Sequence, residues 1–352
     1  MAPSSRLALA ATVSIATVAL SILIGGIPLA IGLAVASMCA IAVLPGGSRR
    51  YLLARVVRVV GTIAVAMALV WLLVHNYPDA SRTEPAGVVP AMERYGDWVG
   101  GALVGDLGDS QYSETVGTGI GRTIPISLQL VAYSQVLALL LAIPAAIVGA
   151  RFRGRLPDRA LLTVAFGATS LPVFVSGLIL IVVFGLGGFP FFGIDLGVAV
   201  LPTGRYTPIG DGLVPHIRSV VLPSVTLALS TAATYVVVLR SAMVDQLSEP
   251  HADLARAKGV PPMRLVTRHA MRPAAPAAVA LVAAQAGGVL GLLVVIERMF
   301  LIPGFGDYVL VAVGRRDDLA VVGALFVTAI ILAVINLFAD ALLLAIDPRI
   351  ES

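Results

Sequence analysis

The sequence predicts an all-α integral membrane protein. Three observations carry that expectation: apolarity beyond the soluble range, runs of bilayer length, and arginine gathered between alternate runs. Of 352 residues 58% are hydrophobic and 12% charged, with mean hydropathy +0.97, whereas roughly a quarter of residues in an ordinary soluble domain are charged. A hydrocarbon core about 30 Å thick needs roughly 20 apolar residues as helix. Eight runs near that length occur, at residues 7–24, 27–44, 56–74, 124–150, 160–186, 221–239, 274–296 and 319–346.

The first two runs, within residues 1–47, are separated only by "GG" and show no small-x-small cleavage site, so they read as an uncleaved hairpin rather than a secretory signal. The other six, within residues 48–352, form a six-span core. Arginines 49, 50, 55 and 58, then 151, 153, 155 and 159, then the segment 240–272 with Lys258, mark one side as cytoplasmic. Residues 75–122 carry three arginines (82, 94, 122) against seven acids (Asp79, Glu84, Glu93, Asp97, Asp106, Asp109, Glu114) and are expected outside, as is the loop 187–220. Alternation through eight spans then puts both termini in the cytoplasm with no span skipped. The single cysteine, Cys39, rules out an intrachain disulfide. The formal charge of +4 is no argument for nucleic acid, because the charge is distributed by side of the membrane.

One cytoplasmic segment, 241–272, is long enough to meet a soluble partner. Its core, residues 249–273, reads "EPHADLARAKGVPPMRLVTRHAMRP". A short helix is expected over 246–258, with Glu249 early and Arg256 and Lys258 late, as the helix dipole favours. Ala252, Ala255 and Ala257 would let another surface approach closely. Gly259 supplies a flexible stop, "VPP" blocks continuation, and a second basic stretch, 263–272, carries Arg268, His269 and Arg272 back toward the membrane. On these features alone, a solvated loop whose arginines only fix topology is an equal alternative.

"ARAKG" followed by "HAMRP" resembles the EAA loop of ABC importer permeases, in the form found in the dipeptide/oligopeptide/nickel family. Further matches follow in family order: "GDLG" at 105–108, "IPISL" at 124–128, "SLPVFVSG" at 170–177, "LPTGR" at 201–205, "LPSVTLAL" at 222–229, "PGFG" at 303–306, "RDD" at 316–318 and "NLFADALLLAIDPRI" at 336–350. The set resembles the B-type permease subunit and covers the chain from about residue 49. The resemblance implies half of a translocation path, completed by a second, C-type permease chain. It also implies two ATP-binding subunits or one fused double ATPase, an external solute-binding protein, and a multi-pass location in the cell membrane with lipid around it. The loop 241–272 would be the coupling helix that docks on the ATPase, and cargo would be di- or oligopeptides, a nickel chelate or haem. Pro273 stands where the family has Asn, and the hairpin at 1–47 has no counterpart in the usual six-span subunit.

The chain lacks other chemistry. A phosphate-binding loop needs Lys followed by Ser or Thr; the only lysine, Lys258, precedes Gly259, so ATP and magnesium are expected on partner subunits and this chain is expected to be no enzyme. Four histidines (75, 216, 251, 269) include no H-x-x-x-H pair and the chain has one cysteine, so no metal site is expected. Polar groups in spans are candidates for the path or its gate. Asn336 and Asp340 share a helix face and read as a proton relay or as a capping or interhelical hydrogen bond. Glu297, next to Arg298, reads as an ion-pair or gate contact, and Pro172 and Phe174 as path-shaping, with Pro125 a second kink or helix start. The rival class, an ion-coupled secondary transporter, would place carboxylates near the midplane and show inverted repeats. No acid lies near the centre of any run and no repeat is evident.

Overall fold

The computed structural model describes residues 57, 60, 61, 63–72, 88–112, 114–186, 188, 189, 194, 195 and 201–346; the expected hairpin at 1–47 and the two termini lie outside them. In chain order the helices are α1 (Ile63–Leu72), α2 (Val88–Leu103), α3 (Val116–Arg151), α4 (Leu156–Ser170) and α5 (Val173–Leu180), which runs on through a π-helical turn, Ile181–Gly185. Then come a two-residue antiparallel pair, β1 (Gly188–Phe189) with β2 (Ile194–Asp195), and a 3-10 turn at Ile209–Asp211. They are followed by α6 (Leu213–Leu247), α7 (Pro250–Ala257), α8 (Met271–Met299), α9 (Phe305–Arg315) and α10 (Asp318–Ile346). A helical turn, Pro262–Arg264, and a π-helical turn, Leu265–Ala270, lead into α8. Among the described residues four helices are long and apolar enough to cross a membrane, or five if α4 and α5 form one bent span.

Two expectations need correction. The run 160–186 is not one straight helix: α4 and α5 meet at a bend of 101°. Pro172 has no N–H, and its ring drives Leu171 out of the α region, to φ −84° and ψ 125°. The helices also outrun their apolar stretches. α3 and α6, with 36 and 35 residues, reach roughly 50 Å at 1.5 Å per residue, so α3 begins inside the expected loop 75–122 and α6 inside the loop 187–220. Helical hydrogen bonding does not stop where hydrophobicity stops, and Pro223 is absorbed within α6.

The chain divides into two compact units, residues 1–125 with 308–352, and residues 126–307. In the second, α6 is the interior column, packed against α4, α5 and α8. Toward its start it meets large side chains, Leu130, Val173, Leu293, Ile296 and Phe300, around Leu222 and Leu227. Further along, Ala138, Ala142 and Ala165 face Ala228 and Ala232, and then Ala146, Ala150, Ala270 and Ala274 face Leu239 and Met243. Small residues let helix backbones approach closely, which in lipid replaces the hydrophobic drive of water-soluble cores.

The first unit is organised by aromatic rings. Trp98 of α2 stacks near Trp71 (centroids 5.6 Å apart) and Tyr95 (6.4 Å) and meets Phe326 of α10 edge-on at 5.5 Å. Its indole N–H donates to the Leu107 carbonyl at 3.2 Å, and the Tyr95 hydroxyl donates to the Ala64 carbonyl at 3.1 Å. Asp317 caps α10, accepting from the Ser110 hydroxyl and the Ala320 N–H. Trp98→Ala should therefore cost about 3–5 kcal/mol, and Tyr95→Phe, which loses one hydrogen bond, about 1 kcal/mol. Thermal unfolding midpoints in mild detergent should fall in that order.

Candidate functional site

The charged segment folds as a helix, a fixed turn and a second helix. The first helix starts later than its composition suggests. Gln246 still belongs to α6, Ser248 and Glu249 form a break, and α7 begins at Pro250. Proline suits the first position of a helix, where no N–H is needed, and it holds Glu249 extended at φ −80°, ψ 151°. Glu249 makes no side-chain cap bond; Asp253 is the acid in the first turn.

α7 ends in a Schellman turn. The Val260 N–H donates to the Ala255 carbonyl (3.1 Å), and the Gly259 N–H to that of Arg256 (2.9 Å). Gly259 sits at φ +75°, where a side chain is strained, and the two hydrogen bonds hold it as a defined corner rather than a flexible stop. A Cβ at 259 would meet nothing within 4 Å, so the corner faces open space.

The alanines divide differently from the sequence expectation. Ala252 and Ala255 are buried against Leu265, Leu247 and Val260, so they seat α7 on its own chain. Only Ala257 faces outward, with His251, Asp253, Leu254, Arg256 and Lys258. Leu254, 59% exposed, is a large apolar side chain on this charged face, and reading α7 as a solvated strip overlooked it. The signal was present in its spacing: Leu254 lies two and one positions from the inward pair and so turns outward. Arg256 is committed within the chain, donating to Asp253 at 2.5 Å and to the Leu247 carbonyl at 2.8 Å. Arg268 and Arg272 are exposed and His269 is half-buried, on the stretch leading into α8. Pro273, which has no N–H to offer a preceding carbonyl, is the third residue of α8 after the π-helical turn, and both it and Pro276 are accommodated within α8.

Glu297 is fully buried in unit 126–307. Its carboxylate accepts from the Ser127 hydroxyl, from the Asp307 N–H at 3.0 Å and from the Gly306 N–H. The Ser127 oxygen in turn accepts the Phe305 N–H at 2.7 Å. The pair thus satisfies the N–H groups that open α9, the helix started by "PGFG". A Cβ on Gly304 would collide with the Glu297 carboxylate. The ion pair in this region joins Arg298 to Asp307 (3.3 Å), and it is exposed and weak. Pro172 caps α5 at the helix break, and Phe174 is half exposed beyond it. Asn336 and Asp340 belong to the other unit, and the Asn336 amide donates to the Leu332 carbonyl one turn back (2.9 Å) rather than bridging helices.

A polar knot that sequence reasoning missed holds Tyr206 and Thr207, just after "LPTGR". His216, fully buried, donates from Nδ1 to the Thr207 carbonyl (2.7 Å), and its Nε2 shares a hydrogen bond with the Tyr133 hydroxyl at 3.2 Å. The Tyr206 hydroxyl donates to Gln129 at 3.0 Å. Burial, and next the Tyr133 phenol, push the Tyr206 phenol above its usual value, so it stays a neutral donor. Tyr133 and His216 are 83 positions apart, and only the packing of α3 on α6 pairs them.

Removing the Glu297 carboxylate strands several buried donors at about 1–3 kcal/mol each. Glu297→Ala should lower the thermal midpoint well beyond Glu297→Gln, which keeps an acceptor, when both are measured in the same detergent.

Residues 138–352 match the family described as binding-protein-dependent transport system inner membrane component. The glutathione transport system permease protein GsiC of Escherichia coli O6:H1 (strain CFT073) is 31% identical over 319 residues, covering 86% of this chain and 98% of that protein. GsiC of Escherichia coli K12 is 30% identical over the same length and coverage. A Brucella ovis protein provisionally named a peptide permease is 31% identical over 277 residues, 78% of this chain and 84% of that one. With most of its length matched, and its described part built from long apolar helices, the chain belongs to the binding-protein-dependent inner membrane components, the permease subunits of ABC importers.

Proposed function

We propose that this permease forms half of the translocation path of a peptide importer and that α7 is its contact with the ATPase. The observation that carries the reading is α7 itself: a short helix seated on its own chain through Ala252 and Ala255, ended by a defined corner, and turning Leu254, Lys258 and Gly259 outward. The relatives' names, glutathione and peptide permeases, support peptide cargo.

In this reading a second permease chain completes the path, and an external solute-binding protein delivers cargo. Two ATP-binding subunits, or one fused pair, hold ATP and magnesium. The arginine-rich side, with 241–272 and both termini, faces the cytoplasm. Residues 1–47 add a hairpin outside the six-span domain 48–352. The only lysine lies outside any phosphate-loop pattern, so hydrolysis belongs to the partners. Closure of the ATPases on ATP would displace α7 as a rigid body, because its end is closed by two hydrogen bonds and its inner face is packed on its own chain.

The full complex in liposomes, with its binding protein, tests this. Gly259→Trp adds bulk on the open side of the corner; Gly259→Asn, which tolerates a left-handed backbone, is the control. The Trp complex should insert normally yet lose at least tenfold of its binding-protein-stimulated ATP hydrolysis, with the Asn complex close to wild type. Normal stimulation in the Trp complex would sink the docking role. Leu254→Ala should weaken ATPase retention on a detergent-washed permease by about tenfold, as loss of a buried apolar anchor of roughly 1.5 kcal/mol implies. Mass spectrometry of the ligand on the purified binding protein should find a peptide; a haem or metal chelate there would overturn the cargo assignment.

A further inference from the structure

The strongest unexplained feature of unit 126–307 is a buried ion pair two turns from the end of α6. Arg240 donates from Nε to Asp158 Oδ1 (2.9 Å) and from Nη2 to Oδ2 (2.6 Å), a two-pronged contact between α6 and the first turn of α4. Asp158 is 2% exposed and Arg240 18%. The same carboxylate accepts the Gly154 N–H at 2.7 Å, which fixes the turn that precedes α4. The helices are pressed together here: a Cβ on Gly149 of α3 would lie 2.9 Å from Leu161 and 3.0 Å from Arg240. A second tie lies beyond it, where Arg153 donates to the Ser248 hydroxyl (3.3 Å) in the break between α6 and α7.

We propose that Asp158 and Arg240 form a latch that makes α4 move with the stalk of α7, and that they are positioning residues for energy coupling. The inference rests on α7 being the ATPase contact. α6 runs straight into the break before α7, and Arg256 bonds back to the Leu247 carbonyl, so a push on α7 enters the last turns of α6. A fork of two charge-assisted bonds fixes orientation as well as distance, which an apolar contact does not. α4 is thereby tied at one end, while its other end is the bend at Leu171 and Pro172, where the helix is interrupted. A rigid rod held at one end and hinged at the other converts displacement of α6 into a swing of α4. Stability alone is a poor reason for the pair, since a buried ion pair is seldom better than an apolar one of the same shape, whereas losing one member strands a charge.

The test uses the complete complex in nanodiscs, with Cys39→Ser and paired spin labels. One pair joins Val136 of α3 to Val164 of α4, both exposed, and the other joins Val136 to exposed Leu229 of α6. Trapping with ATP and vanadate should shift both distances in the wild type, on the order of one helical turn, roughly 5 Å. In the double variant Asp158→Asn with Arg240→Gln no charge is stranded, so the thermal midpoint should stay near wild type. The α6 shift should persist there while the α4 shift is lost. A double variant in which both shifts persist overturns the latch. If neither pair moves in the wild type, the docking reading fails and takes the latch with it. Should the double variant assemble poorly, Arg240→Lys keeps the charge but breaks the fork: the α4 shift should fall at least twofold, and an unchanged shift overturns the proposal.

Discussion

Backbone amides in hydrocarbon have no water to turn to, so any interruption of a helix must find its hydrogen bonds within the protein. That constraint explains where this chain bends and what stands at each bend. At Leu171 and Pro172 the next helix starts at once, with the Val175 and Ser176 N–H groups both donating to the Pro172 carbonyl. After α7, which lies outside the long apolar helices and whose end faces open space, the chain still closes its own carbonyls through the Schellman bonds of Gly259 and Val260. After α8 the chain turns through Leu301 at φ +53°, and Glu297 supplies the acceptors that the first N–H groups of α9 need. Each break is therefore a built joint.

Two buried carboxylates meet the same cost in different ways. Asp158 is balanced by a guanidinium and binds one element to another. Glu297 accepts a hydroxyl and backbone N–H groups, so its charge is spread over the dipoles of a helix start. The first arrangement joins helices that could slide past each other. The second fixes the angle at which a short helix leaves a long one. Both sit beside a glycine: Gly304 leaves room for the Glu297 carboxylate itself, and Gly149 for Leu161 and the Arg240 side chain that reaches Asp158.

The charged segment gains a different meaning in three dimensions. As composition it is a basic strip, and a strip could do no more than fix topology. Folded, its small residues are used inward and its large apolar one, Leu254, outward. The guanidinium of Arg256 braces α7 on the end of α6 instead of waiting for a partner. Of the residues first expected on the contact face, Ala252, Ala255 and Arg256 instead brace α7 on its own chain, while Ala257, Lys258 and Gly259 stay exposed.

The sequence by itself determined the all-α membrane class, the position of the charged segment, a helix stop at Gly259 and the family resemblance. Each depends on local chemistry: apolar length, charge placement, and residues such as Gly and Pro whose backbone limits are intrinsic. Pro172 even announced a kink, though not its 101°. Helix ends were less legible, because apolar runs report the hydrocarbon slab while helices such as α3 and α6 continue past it. Partnership was not legible at all. Ser127 with Glu297, Tyr133 with His216, and Asp158 with Arg240 are 170, 83 and 82 positions apart. Their pairing was decided by which faces of α3, α4, α6 and α8 pack together, and that depends on the sum of many small side-chain fits that no local pattern encodes.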